Sequence, residues 1–547
     1  MEKGIHRRDF FKVLGASGAV VAAASACADP PEKLIPYLLP PDNVEFVPGV
    51  PLEYATTCME CPAHCGMVVS TREARAIKAE GNADHPISQG SLCLRGQATL
   101  QTHYNPTRLA GAAQRKGDKW EPMEWPAAEA LLAAKIKAVP DKRQIVYMTG
   151  NVAGTRARFV DQWLAALGAS PKVVVEPLEL HSIRAGNERL FGRAEVPLYR
   201  IADADYLLNF GSEFLETWGN PVSNNREFAA MHAYNDKTKR KGKFVHVGPH
   251  IALTGANADQ WVPAKPGSEA VLALALAKAV LEANRARLPG GEAERIGAAL
   301  KPYTLERAEA AAGVKADVLK KLADEFGAAK AGLALAGGNT LATEQATAAQ
   351  VAVGLLNYVA GNVGKTVVFG AGVQLDASTP FNQVLQVLQR MQAGQVKLLI
   401  VDGANPAYSL PPATKVAEAL SKVDFIVSLS SAHDETTKVA HLVLPGQSAL
   451  ERWGDAMPQR GVYSLQQPVM APIYPVKSAE DTLLAVAAAL GLGQFKATPS
   501  YRDYLRAAWL QVQKEVGAGG DFDSFWRDSL RRGGVFKQVS SSGGVRL

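Results

Sequence analysis

Four cysteines close to the N-terminus, Cys58, Cys61, Cys65 and Cys93, constrain this 547-residue chain more than anything else in it. Three form a Cys-x2-Cys-x3-Cys run, and the fourth follows 28 residues after Cys65. Thiolates so spaced can wrap one cubane 4Fe–4S cluster, three from a tight loop and one from a separate segment. Cys61-Pro62 and Cys65-Gly66 suit a turning loop whose N–H groups can point at sulfur, because glycine accepts dihedrals closed to other residues. Zinc is one alternative, although structural zinc usually draws on two short Cys-x2-Cys pairs and the second half here is a lone cysteine. Two disulfides are another, but a chain of this length has core enough without such staples. The chain has five cysteines in all, so a cluster leaves only Cys27.

Cys27 closes a different kind of segment. Arg7-Arg8-Asp9-Phe10-Phe11-Lys12 precedes an uncharged run from Val13 to Ala26. A twin-arginine pair, aromatics and a short apolar stretch look like a twin-arginine export signal, and the run is too short to span a bilayer. Residues 1–26 are therefore expected to be a signal peptide that delivers a folded, cofactor-loaded protein to the periplasmic side of the inner membrane. Ala24-Ser25-Ala26-Cys27 looks like a lipoprotein cleavage box with Ala where Leu is commoner. That makes Cys27 a candidate lipidation site and a modest tether, though small residues before a cysteine also arise by chance. Residues 27–50, with Pro30, Pro31, Pro36, Pro40, Pro41 and Pro48, read as an extended arm. No later stretch reaches the roughly 18 uncharged apolar residues that a spanning helix requires.

An apolar content of 47% with 20% charged residues marks a globular chain. The formal charge of +6 carries no basic run interleaved with aromatics, which leaves nucleic-acid binding without support. From Gln144 onward, short apolar runs alternate with helical patterns. Strands are predicted at Ile145–Met148, Lys172–Val175, Tyr206–Phe210, Phe244–Val247, Gly332–Leu335, Lys397–Val401 and Phe425–Leu429, as for parallel strands buried on both faces. Helices are predicted at Arg156–Leu167, Glu269–Ala283 and Thr343–Val359. Several strands run into Gly or Asn turns, such as Gly150-Asn151, Gly337-Gly338-Asn339 and Asp402-Gly403-Ala404-Asn405. In open α/β sheets those turns border the ligand crevice, although Gly and Asn also simply make tight turns. Gly364-Lys365-Thr366 lacks the earlier glycine of a phosphate loop, and Leu375 stands where Gly370-Ala371-Gly372 would need a third glycine.

Longer motifs carry a family resemblance across residues 54–490. They include Gly81-Asn82-Ala83-Asp84-His85-Pro86, Cys93-Leu94-Arg95-Gly96, Asn105-Pro106-Thr107-Arg108-Leu109, and Trp120 with Trp125 ahead of a helix. Ala258-Asp259-Gln260-Trp261, Lys265-Pro266-Gly267-Ser268, Gly361-Asn362-Val363-Gly364, Leu442-Val443-Leu444-Pro445 and Glu451-Arg452-Trp453-Gly454 continue the series. With the cysteine loop, they resemble the bis-molybdopterin-guanine-dinucleotide oxidoreductase superfamily. Asp402–Pro411, Ser428–Ser431 with Asp434-Glu435-Thr436, and Arg460–Pro468 are similar within it to the molybdopterin-enzyme-like half of the B subunit of alternative complex III.

The resemblance implies an α/β fold: an N-terminal Fe–S domain at 51–104 and two open doubly wound α/β domains. One of these comprises 105–169 and 331–490, the other is inserted at 170–330, and a helical extension with a tail occupies 491–547. It also implies that Arg95 lies between cluster and pterin. The sequence departs from the family at the metal. Active members place a Cys, selenocysteine, Ser or Asp after a strand where this chain has Lys172–Ser182, and the matching position is Leu180, which has no lone pair to give. Ser182 or Glu179 would serve only in a shifted register, and the C-terminal domain that caps the pterins is expected to be missing.

The implied function is a non-catalytic electron-transfer and scaffold subunit of a quinol-oxidising complex, with a 4Fe–4S cluster, no molybdopterin and no catalytic residue. Its implied partners are a ferredoxin-like multi-cluster subunit, polytopic quinol-binding membrane subunits and multihaem cytochromes. Two alternatives stay open. One is a catalytic molybdenum subunit of polysulfide or thiosulfate reductase type with Ser182 on the metal, and the other is a structural subunit with a vestigial cluster site.

Overall fold

Strands that are apolar along their whole length organise this molecule, because only a sheet covered on both faces can bury them. The computed structural model describes residues 49–177, 180–236, 239, 241–284, 288, 290–375, 378–537 and 547. The twin-arginine stretch, Cys27, the arm up to residue 48 and Glu179 lie outside the described residues. Met1–Leu52 and Glu53–Leu547 form separate units, and the second holds the α/β body.

A three-stranded sheet comes first, of β1 (Leu52–Thr57), β2 (Gly66–Arg72) and β3 (Arg75–Gly81), followed by the short helix α1 (Leu94–Gln97). Next come the hairpin strands β4 (Ala113–Lys116) and β5 (Lys119–Pro122), then β6 (Ile145–Thr149), helix α2 (Gly154–Leu167), β7 (Val173–Val174) and helix α3 (His181–Phe191). After β8 (Val196–Tyr199) come β9 (Tyr206–Phe210), helix α4 (Pro221–His232), β10 (Lys243–Gly248), β11 (Gln260–Pro263) and β12 (Gly332–Ala336). The chain returns through β13 (Val367–Val373), β14 (Leu398–Asp402), β15 (Phe425–Ser428) and β16 (Leu442–Val443). It ends with β17 (Gly454–Gln459), β18 (Val462–Gln466), helices α5 (Tyr501–Val516) and α6 (Phe522–Arg532), and β19 (Gly534–Phe536).

Two open sheets result. The larger has the order β5-β4-β16-β15-β14-β6-β7, and the sheet between β7 and β13 in the chain has the order β11-β10-β9-β12. The core pairs β6–β14 and β9–β12 are parallel, and every residue of β6, β9, β12 and β14 is buried. In the larger sheet β6 to β7 winds one way and β14 to β16 the other, so the winding reverses between β6 and β14. In the smaller sheet it reverses between β9 and β12. Ligands of such sheets bind outside the strand ends at these reversal points.

The helices follow from sequence in the usual way. α2 buries Phe159, Val160, Trp163 and Leu164 along one stripe and stops at Gly168, whose φ of 70° suits a residue without Cβ. α5 buries Tyr501, Leu505, Trp509 and Val512 and is capped by Ser500, which accepts the Asp503 N–H. Some predicted bounds shift. The run Lys172–Val175 pairs only as Val173–Val174, at the sheet edge where one neighbour is missing. The helix predicted from Thr343 begins at Ala346, after a 3-10 turn at Asn339–Leu341. Trp125 is the first residue of its helix rather than ahead of it. Among the described residues no helix is long and apolar enough to cross a membrane.

Candidate iron–sulfur site and the adjoining crevices

The turn between β1 and β2 carries Cys58, Cys61 and Cys65, and Cys93 is the residue that starts α1. Two backbone bonds set the loop: the Cys58 N–H donates to the Cys65 carbonyl at 2.9 Å and the His64 N–H to that of Cys61 at 3.3 Å. All four thiols are free; Cys58, Cys61 and Cys65 are buried and Cys93 is half-buried. Burial and the neighbouring Cys61 and Cys93 push the Cys65 thiol up to about 12. Burial likewise raises Cys58 well above the ordinary thiol value, and Cys61 more modestly against the pull of Arg95.

Four crowded thiols of this kind ionise only when strong positive charge sits among them, as metal coordination provides. Among the described residues no three His, Cys, Asp or Glu side chains converge on a single-ion site. A lone zinc draws each thiolate to about 2.3 Å, whereas a cubane spreads four thiolates over its own bulk. Four free thiols, whose charges act on one another, are the donor set that a 4Fe–4S cluster takes.

The Arg95 guanidinium is bonded to Cys93. Burial alone would lower it, but the charges of Cys61 and Cys93 outweigh burial and hold it above its ordinary value. A contact that spacing did not reveal comes from α4, whose capping residue Asn220 lies with Oδ1 3.9 Å from the Cys65 sulfur. Asn220 is 155 residues away in the chain, which leaves no local signal to find it.

Leu180 caps α3 and is buried in the large core of the second sheet. The space beside it measures about 70 Å³ and is lined by Ala63, Val196, Trp218, Asn220 and Leu375, among others. Ser182 is not among the residues lining this space, nor among those lining a much larger cavity of about 820 Å³ near the β6–β14 reversal. Neighbouring residues of the same three segments line the two spaces. Pro62 and His64 line the large cavity and Ala63 the small one; Gln374 lines the large one and Val373 and Leu375 the small one; Met457 and Arg460 oppose Pro458 and Gln459.

Charged side chains of the protein itself crowd the β6–β14 reversal. Asp402, at the end of β14, accepts from Tyr147 at 2.6 Å and from Arg156 at 2.7 Å, and Arg156 also pairs with the buried Glu480. Burial would lower Arg156, but Asp402 and Glu480 hold it well above its usual value. At the β9–β12 reversal, a Cβ on Gly337 would lie 2.0 Å from the Trp218 indole nitrogen, so only glycine lets the ring lie there.

Comparison with known proteins agrees with this architecture. The sequence matches the molybdopterin oxidoreductase family over residues 105–488 and the molybdopterin oxidoreductase Fe4S4 domain over residues 53–105. Over 542 residues it is 29% identical to the molybdopterin-binding-like subunit of menaquinone reductase from Nitratidesulfovibrio vulgaris, covering 95% of this chain and 76% of that protein. A probable oxidoreductase of Bacillus subtilis is 24% identical over 518 residues, with 87% and 74% covered. The fold superposes on acetylene hydratase from Pelobacter acetylenicus with a TM-score of 0.68, at 16% identity, over 81% of this chain and 70% of that one. The chain, with its N-terminal Fe4S4 domain, belongs to the molybdopterin oxidoreductase family.

Proposed function

We propose that the chain is the molybdopterin-enzyme-like subunit of a quinone-linked respiratory complex, in which it serves as electron relay and scaffold and holds no molybdenum. The observation that carries this reading is Leu180. A hydrocarbon side chain stands where the resemblance puts the metal's protein ligand, with about 70 Å³ beside it. Cofactor-sized ligands need cavities of roughly 300–1,000 Å³, and molybdenum needs an anionic O or S donor. Leu180 is not among the residues that line the large cavity. The likeness to a menaquinone reductase subunit itself described as molybdopterin-binding-like supports the same reading.

Cys58, Cys61, Cys65 and Cys93 would hold the cluster, which would supply storage for one electron at a time. Burial of the first three cysteines keeps water from the sulfurs. Arg95 sets a cation against Cys61 and Cys93, which favours the form carrying the extra electron. Cys93, the most exposed of the four, would present the edge of a bound cluster nearest to a partner. The partners of this reading are a ferredoxin-like multi-cluster subunit, polytopic quinol-binding membrane subunits and multihaem cytochromes. The direction of flow, quinol oxidation in our reading, belongs to them. The complex sits on the periplasmic side of the inner membrane, reached by the twin-arginine route and tethered through Cys27.

Metal analysis tests the reading. Full-length protein purified anaerobically should hold about four iron and four acid-labile sulfide per chain, no molybdenum, and give an EPR signal on reduction. Stoichiometric molybdenum with oxo-transfer turnover would replace this reading with the Ser182 enzyme. Iron-free protein that still assembles would make the cluster site vestigial.

A further inference from the structure

The end of α2 that faces the β6–β14 reversal is a ready anion seat, since the first N–H groups of a helix are unpaired and carry its positive pole. α2 brings no anion of its own: its capping residue Ala153 offers no side-chain bond, and its first turn holds no acidic residue. The seat is nevertheless filled. Asp455, from β17, presses its carboxylate onto it, with Oδ1 accepting the Thr155 N–H at 2.6 Å and Oδ2 the Thr155 hydroxyl at 2.6 Å. A third donor comes from α5, where the Trp509 indole N–H reaches Oδ2 at 2.9 Å. Asp455 is 8% exposed and Trp509 fully buried. The approach is so close that a Cβ on Gly154, whose φ is +57°, would lie 2.2 Å from Asp455 Oδ1.

What the carboxylate displaces can be read from the surroundings. The seat opens into the cavity of about 820 Å³, which is within the range of nucleotide-sized ligands. Two buried side-chain nitrogens among the cavity-lining residues, Asn151 Nδ2 and His64 Nδ1, have no hydrogen-bond partner. Arg158 and Arg460 line it as well. This is the setting of a phosphate-bearing ligand at a doubly wound sheet, with the phosphate's place taken.

We propose that Asp455 is a built-in surrogate for a ligand diphosphate at the α2 N-terminus, bolted in place by Trp509, so that the chain fills the phosphate seat of its crevice with its own side chain. The inference rests on the cofactor-free relay reading and deepens it: the C-terminal helix that carries Trp509 does the work a bound dinucleotide would do. It also accounts for a buried carboxylate with three protein donors beside an otherwise uncapped helix.

The test uses the full chain, with inorganic pyrophosphate as the probe, read by thermal melting and calorimetry. Wild type should show no pyrophosphate-dependent shift. Asp455→Ala should melt lower and regain part of the loss on adding pyrophosphate, saturably, with binding tighter than wild type by more than about tenfold once the like charge is gone. Should Asp455→Ala fail to fold, Trp509→Phe removes the indole donor together with some ring volume, keeps the carboxylate, and should show a smaller pyrophosphate-dependent shift of the same kind. Wild type that binds pyrophosphate equally well would mean an open seat and overturn the proposal. Folded variants that ignore pyrophosphate would reduce Asp455 to a helix cap and overturn it too. Molybdenum measured on the same wild-type preparations reports separately on the relay reading, so the two failures are distinguishable.

Discussion

Replacing Arg108 by alanine should cost the protein about 3–4 kcal/mol at pH 7, and most of that cost should disappear by pH 5. Arg108 follows the cluster region and grips Glu451, just ahead of β17; the two side chains are 2% and 0% exposed. Nη1 and Nη2 donate to Oε1 and Oε2 at 3.0 and 2.7 Å, and the backbone N–H groups of Ser448 and Ile473 add two more bonds at 2.9 Å. Burial alone would raise Glu451, but these donors, Arg108 first, hold it below its ordinary value. Without the guanidinium, the cheapest relief for the buried carboxylate is to take up a proton. Protonating a carboxyl of ordinary value near 4.3 costs about 3–4 kcal/mol at pH 7 and about 1 kcal/mol at pH 5. In wild type the depressed carboxyl contributes stability above the unfolded value, which is lost as pH falls through the folded one. In the variant the folded value is raised, so acid favours folding and the two stability curves converge. Urea unfolding at pH 7, 6 and 5 measures the gap. A gap under about 1 kcal/mol at pH 7, or one that does not narrow with acid, would refute the argument. Arg108→Met with Glu451→Leu removes both desolvation costs but orphans the Ser448 and Ile473 N–H groups, so it should recover only part of the loss.

Cys61→Ser should abolish the EPR signal of the reduced cluster while leaving far-UV circular dichroism of the α/β sheets nearly unchanged. Retention of a four-iron signal would contradict the ligand set. Arg95→Gln removes the cation beside Cys61 and Cys93 and should lower the cluster's midpoint potential in an EPR-monitored titration; an unchanged or higher potential would contradict its role. Leu180→Ala should destabilise by about 2–5 kcal/mol, the range for emptying a packed core site, with iron content unaltered. A cost near zero in thermal unfolding would mean that Leu180 is not packed core.

The strands legible in advance share one property. Tyr206–Phe210 has the predicted bounds, Gly332–Leu335 differs from the observed strand by one residue at one end, and Phe244–Val247 and Lys397–Val401 differ by one residue at each end. All four are covered on both faces, which forces an uninterrupted apolar run. β17, β18 and β19 leave no such run because they mix polar and apolar residues, and β19 pairs with β18 from far along the chain. The cysteine site was legible for a different reason: three of its ligands lie within eight residues, so spacing carries the geometry.

Side chains joined across the fold left no such trace. Asn220 reaches Cys65, Arg108 finds Glu451 and Trp509 meets Asp455 over separations of 155, 343 and 54 residues. The amino-acid order by itself determined the thiolate quartet, the alternation of strands and helices, and the leucine at position 180, all properties of neighbours in the chain. Only the tertiary structure decided how much room stands beside that leucine, and which carboxylate sits on the helix end at the sheet's reversal. Those depend on which distant segments pack together, and packing is settled by the shape of the whole core.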